Sequence, residues 1–129
     1  IIEGRRANAT IFQELMRGIP EILIQKEIGE SSWFGFSIVL PDWCKRGPVL
    51  DALRDAGVET RPIVAGNFTL NPVIEHLDHS IHGELPAANR IHNQGFFVGN
   101  HHYEVTEQLN EFKSILKNCL DEQRPSSND

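Results

Sequence analysis

Sulfur is scarce in this chain, with two cysteines and one methionine in 129 residues. Cys44 and Cys119 stand far apart and fit neither a metal-ligand nor a redox spacing, so free, buried thiols in a reducing compartment are expected. Positive charge is short as well. Lys and Arg total 12 against 18 Asp and Glu, a formal net charge of −6, which argues against nucleic acid as a partner because such modules carry a basic face. No apolar run approaches the roughly 20 residues of a membrane span and no signal peptide is visible. A cytoplasmic chain with no membrane partner is therefore expected. A phosphate-binding glycine fingerprint and a nucleophile elbow are both missing. The length allows one domain around one modest core.

The chain opens on Ile1-Ile2 and its methionine is Met16. A processed product, an excised domain or a proteolytic fragment is expected rather than a whole translation product. Residues 2–5 read IEGR, which also matches an engineered protease site and is read here as native sequence.

Hydrophobic periodicity predicts a helix over residues 3–17, with Ala9, Phe12, Leu15 and Met16 on one stripe, stopped by Gly18-Ile19-Pro20. Residues 21–26 and 33–40 read as strands joined by a turn. In the second, Phe34, Phe36, Ile38 and Leu40 are expected to share a face. A helix over 45–57 tolerates Pro48 near its start, turns Leu50 and Leu53 inward and ends at Gly57 in a left-handed conformation. Residues 58–65 read as a third strand, which Pro62 makes either an edge strand or one half-unpaired at that point. A loop with one helical turn near 73–77 comes next, then a short helix over 87–94 and a strand over 95–99. A last helix over 106–121 carries Leu109, Phe112, Leu116 and Leu120, with Thr106 as its N-cap. The order α-β-β-α-β-α-β-α predicts an α+β, two-layer domain with a small, largely antiparallel sheet flanked by helices.

Two strand ends share a design. Residues 59–68 read ETRPIVAGNF and residues 95–102 read GFFVGNHH, each an apolar run leaving through Gly and Asn. One shared polar site is expected, with Arg61, Asn67, Asn100 and His101 converging on one concave edge. Arg61 can hold an oxyanion in a two-pronged grip. Gly66 lets a ligand approach the backbone, and the Asn67 amide can donate to and accept from hydroxyls. The alternative is that Arg61 pairs with Glu59 or Glu84 and both Asn residues are turn formers. His76, His79 and His82 with His101 and His102 could suggest a metal cluster, but no stable helix supports the first three and no metal site is expected. Trp33 and Trp43 read as core or interface aromatics.

The segments RRANATIFQEL, SSWFGFSIVL, LRDAGVETRPIVAGNF and GFFVGNHH resemble the C-terminal part of the DegT/DnrJ/EryC1/StrS family. These are sugar aminotransferases and related dehydratases that use pyridoxal phosphate. The RPIVAGN form is more similar to the branch of nucleotide-linked 4-keto-6-deoxyhexose 3-dehydratases. The resemblance implies that residues 1–122 form the C-terminal small domain of a fold-type I enzyme, with residues 123–129 as a flexible tail. It implies a role in deoxysugar and lipopolysaccharide biosynthesis, a homodimer, and a substrate surface of Arg61, Gly66, Asn67, Asn100 and His101. It also implies pyridoxal or pyridoxamine phosphate held by a large N-terminal domain that is not in this chain, which alone is then not catalytic. The alternative is a free-standing, non-catalytic binding or interaction module derived from that domain.

The four lysines, Lys26, Lys45, Lys113 and Lys117, occupy no cofactor-like context, and cofactor chemistry needs anchoring groups. Dialysed protein is expected to retain no stoichiometric pyridoxal phosphate by absorbance spectroscopy. A persistent cofactor band lost in Lys26→Ala would place the cofactor site inside this chain.

Overall fold

The computed structural model describes residues 1–127. Its elements are α1 (Ile2–Met16), β1 (Leu23–Ile24), β2 (Gly35–Val39), α2 (Arg46–Asp55), β3 (Thr60–Arg61), α3 (Pro86–Gln94), β4 (Gly95–Gly99) and α4 (Thr106–Gln123), with two 3-10 turns at Phe68–Leu70 and Pro72–His76. The strands form one sheet in the order β1-β2-β4-β3, and every neighbouring pair is antiparallel. This is the α+β, two-layer arrangement expected from the sequence.

The core lies between the sheet and α1, α2 and α4. Alternation along β2 and β4 sends Phe36, Ile38, Phe96 and Val98 inward. They meet Phe12 and Met16 of α1, Val49 and Leu53 of α2, and Leu109, Phe112, Leu116 and Leu120 of α4. Phe12 stacks on Phe36 with ring centroids 4.3 Å apart. Of the two inward leucines expected on α2, Leu53 is buried, whereas Leu50 is only partly so and Val49 takes the deeper position.

Phe34 does not join the inward face: it is 69% exposed. Trp33 adopts a φ of 50° just before β2, which breaks the strand alternation there. Trp33 is thereby turned into the core beside Phe36 and Phe34 is turned out toward Phe97.

Two strands are shorter than expected. β1 keeps only Leu23 and Ile24, and the Gln25 amide continues the ladder past its end. Gln25 Nε2 donates to Gly35 O (2.7 Å), and Ser37 N–H donates to Gln25 Oε1 (2.6 Å). β3 lies at the sheet edge and stops at Arg61, because Pro62 has no N–H for a ladder and the chain then turns through Val64 (φ 48°) and Gly66 (φ 61°). Gly57, at φ 80°, closes α2 in the left-handed conformation expected of it.

α4 is entered from Val105. Thr106 does not cap it, since its hydroxyl donates to Glu104 Oε1 instead. The helix runs through Gln123, so residues 123 and 124, expected in the flexible tail, are held. Gln123 bonds both the N–H and the C=O of Lys45 (2.7 and 3.2 Å), and Arg124 pairs with Glu21 while lying over Trp43. Residues 128–129 of that tail lie outside the described residues.

A buried pair of amides ties α1 to the exit of β4. Asn8 Nδ2 donates to Asn100 Oδ1 (3.2 Å), His101 O (3.1 Å) and Tyr103 O (2.8 Å), while Asn8 Oδ1 accepts from Val105 N–H (3.3 Å). Asn100 Nδ2 donates to Arg5 O (3.0 Å) and Trp33 O (2.9 Å). Gly4 makes this approach possible, since a Cβ there would lie 2.0 Å from His102 O. Asn8→Ala is expected to cost about 2–4 kcal/mol in urea unfolding, because several buried groups lose their partners together. Asn8→Asp keeps the shape but faces a carboxylate toward three oxygens, and should lose at least as much near neutral pH. A loss below about 1 kcal/mol in both variants would mean that packing alone holds this junction.

Candidate functional site

A concavity of about 640 Å³ opens at the sheet edge, where β3 begins, β4 ends and α4 starts. Arg61, Glu59, Phe97, His101, Tyr103 and Arg5 contribute its polar and aromatic lining, with Val58, Leu109 and Phe112 among its apolar walls. β3 supplies Arg61 opposite Phe97 in register, so both side chains stand on the sheet face away from the helices. The β4 exit supplies His101 and Tyr103, whose rings stack with centroids 4.8 Å apart.

Three of the five expected site residues line this concavity, Arg61, Asn100 and His101. Gly66 and Asn67 do not, and the expected convergence of the two Gly-Asn exits fails. β3 and β4 run antiparallel, so the exit of β3 lies beside the start of β4, at the opposite end from Asn100. There Asn67 Nδ2 donates to Asn89 Oδ1 (2.6 Å), Asn67 Oδ1 accepts from Thr69 N–H (3.1 Å) and from the Thr69 hydroxyl (2.7 Å), and Asn67 N–H donates to His92 Nδ1 (3.2 Å). Gly66 is needed there because a Cβ would fall 2.5 Å from His92 Nδ1. Asn100, also buried, spends its amide on Asn8, Arg5 and Trp33. Both asparagines therefore shape the loops that leave their strands.

Arg61 is 67% exposed in its side chain and pairs with Glu59, one of the two carboxylates expected as alternatives for it. Nε and Nη2 both donate to Glu59 Oε1, at 3.1 and 2.7 Å. Arg61 Nη1 and Glu59 Oε2 form no hydrogen bond among the described residues, so one donor and one acceptor remain side by side on the rim.

Arg5 and Tyr103 were not anticipated. Tyr103 is the chain's one tyrosine and comes directly after the His101-His102 pair, a composition cue that pointed toward it. Nothing local in the sequence separates Arg5 from Arg6, yet Arg6 pairs with Glu27 (3.0 Å) and Arg5 lines the concavity.

The histidines do not assemble: among the described residues no group of three or more His, Cys, Asp or Glu side chains could hold a metal ion. Cys44 and Cys119 are free and buried, and burial pushes both thiols up from their ordinary range. The residues present do not fit pyridoxal phosphate as a self-contained site. No lysine lines the concavity, and its one carboxylate, Glu59, is committed to Arg61.

The sequence profile of the DegT/DnrJ/EryC1/StrS aminotransferase family matches residues 1–116. A GDP-4-keto-6-deoxy-D-mannose 3-dehydratase of Yersinia pseudotuberculosis is 47% identical over 90% of this chain and 30% of its own length. One from Escherichia coli O55:H7 is 37% identical over 90% of the chain and 31% of its own length. A solved Escherichia coli GDP-4-keto-6-deoxy-D-mannose-3-dehydratase with bound hydrated PLP superposes with a TM-score of 0.85 at 36% identity, covering 89% of this chain and 30% of that one. This chain thus spans about a third of the length of the curated relatives it matches. With the profile matched along most of its length and the fold shared, the chain belongs to the DegT/DnrJ/EryC1/StrS aminotransferase family.

Proposed function

We propose that this chain is the small, substrate-closing domain of an enzyme that acts on a nucleotide-linked keto-deoxysugar, with 3-dehydration favoured over transamination. Pyridoxal or pyridoxamine phosphate is supplied by a large N-terminal domain, where it provides the electron sink for the chemistry. The observation that carries the reading is the Glu59–Arg61 pair on the concavity's rim. Its free Nη1 and Oε2 present a donor and an acceptor together, which suits the hydroxyl and keto oxygens of a sugar. His101, stacked on Tyr103 and exposed, adds a polar ring beside it. Asn100 serves the same surface by holding the β4 exit in shape, whereas Gly66 and Asn67 shape the turn at the other end of β3.

In this reading the domain excludes water and orients substrate. A short, edge-paired strand fixes Arg61 more firmly than a loop would. The likeness to two dehydratases acting on a GDP-linked 4-keto-6-deoxysugar supports dehydration of that substrate class.

A second feature favours a domain over a free-standing module. Val64, Phe68, Leu70, Val73, Leu77 and Ile81 are all exposed along one segment, Val64 at 90%. Such a run of apolar surface favours contact with another protein surface. We assign it to the large domain or to a second copy in a homodimer.

Two measurements test the reading. Residues 1–127 can replace the matching segment of the Yersinia pseudotuberculosis dehydratase. The chimera should dehydrate its nucleotide sugar, and Arg61→Ala within it should weaken substrate binding by about 1.5–3 kcal/mol, the loss of one charge-assisted hydrogen-bonding group. In the chain alone the same change should shift stability by less than about 1 kcal/mol, since the pair with Glu59 is exposed. Collapse of the chain with unchanged binding in the chimera would make Arg61 a structural residue. In sedimentation the chain alone should associate with rising concentration, and a clean monomer at high concentration would favour the independent module.

A further inference from the structure

We propose that His92 is a proton-sensitive latch on the turn after β3. Neutral, it holds the root of the exposed apolar segment Val64–Ile81 against α3. Protonated, it releases that root. The inference stands on the hydrogen bonds of the turn and is independent of the proposed enzyme function.

The closed turn leaves the ring one role. Asn67 N–H donates to His92 Nδ1 (3.2 Å), so this nitrogen carries no proton and the ring is neutral. The side-chain oxygens nearby are occupied. Asn67 Oδ1 accepts from the Thr69 N–H and hydroxyl, and Asn89 Oδ1 accepts from Asn67 Nδ2 (2.6 Å). Gly66 packs so closely on the ring that a Cβ there would lie 2.5 Å from Nδ1, which leaves no room on that side for a bridging water. A proton on Nδ1 sets two donors against each other, and turning the ring puts a carbon where the acceptor was. Either way Asn67, a buried residue, loses the partner of its N–H.

The charges nearby give an imidazolium no compensation. The segment 62–70 carries no titratable side chain, and neither do β2 and β4. From α2, Arg46 donates to the carbonyls of His92 and Gly95, both at 2.8 Å, and so already answers the end of α3 that would otherwise favour a cation. On α3 itself, Arg90 pairs with Asp42 (3.5 Å). No carboxylate pairs with the His92 ring among the described residues. The other five histidines are exposed, and none of them accepts a backbone N–H on its ring among the described residues.

The latch sits at a junction. Asn67 caps the 3-10 turn Phe68–Leu70 and Asn71 caps the next, Pro72–His76. None of residues 68–84 is buried, so Asn67 is the anchor from which this segment hangs. Release of the anchor therefore changes how the apolar surface of Phe68, Leu70, Val73, Leu77 and Ile81 is presented.

The test follows the Asn67 amide and the His92 ring nitrogens in the nitrogen-15-labelled chain from about pH 8 to about pH 5, the range in which histidine changes charge. At the upper end His92 should show the neutral form protonated at Nε2. As the ring takes its second proton, the Asn67 amide should shift with the same midpoint, and its protection from hydrogen exchange should fall about tenfold or more. In His92→Gln, whose side chain does not titrate, the Asn67 amide should stay unchanged over this range. An Asn67 amide that ignores the titration of the His92 ring overturns the proposal, as does an equal loss of protection in His92→Gln. Should His92→Gln fail to fold, the shared midpoint in the wild-type chain decides. A shared midpoint beside an inactive chimera would remove the proposed enzyme function and leave the latch, and an active chimera with an unmoved Asn67 amide would do the reverse.

Discussion

The fold turns on two buried amides. Asn8 and Asn100 are remote in sequence, yet their side chains bond each other and between them bind the carbonyls of Arg5, Trp33, His101 and Tyr103 and the N–H of Val105. Each of these buried polar groups would be unfavourable alone. Together they fasten the first turns of α1, the entry to β2, the exit of β4 and the entry to α4. Apolar packing can hold the same elements close, but it is non-directional. The amides fix the rotation of α1 and the path of the chain after Gly99, and so where Arg5, His101 and Tyr103 stand.

The opposite end of the sheet uses the same device. Asn67 is buried among Asn89, Thr69 and His92, and it shapes the turn after β3. Side-chain amides also stand in for backbone at Gln25, which extends the β1 ladder, and at Gln123, which grips both backbone groups of Lys45. A four-stranded sheet with two-residue outer strands has few ladder bonds of its own. Neutral amides can add such bonds at strand ends without bringing a charge to a partly buried position.

Short edges also leave the chain open where a partner or ligand can act. β3 stops short of Pro62, and the chain then enters an apolar segment with much of its surface exposed, from Val64 to Ile81. The concavity that carries Glu59, Arg61 and Arg5 lies on the other side of β3. β3 thus stands between a greasy surface suited to protein contact and a concavity with apolar walls and a polar rim.

Periodicity, with glycine and proline as punctuation, determined the element order, the inward stripes of α1 and α4, the left-handed stop at Gly57 and the α+β class, and Pro62 narrowed the third strand to an edge or a half-unpaired one. These depend on neighbours within a few residues, and local sterics and side-chain spacing report on them directly. The same periodicity misplaced Phe34, because a single positive φ at Trp33 resets the alternation and carries no mark in residue type. The family resemblance was legible because whole segments, not single residues, carry it. What only the tertiary structure decided was which site residues meet. Two Gly-Asn exits look alike in sequence, but antiparallel pairing of β3 with β4 sends them to opposite ends of the sheet. Arg5 joined Arg61 and His101 for the converse reason. Strand direction and helix rotation are set by contacts between residues far apart in the chain, and no local pattern encodes them.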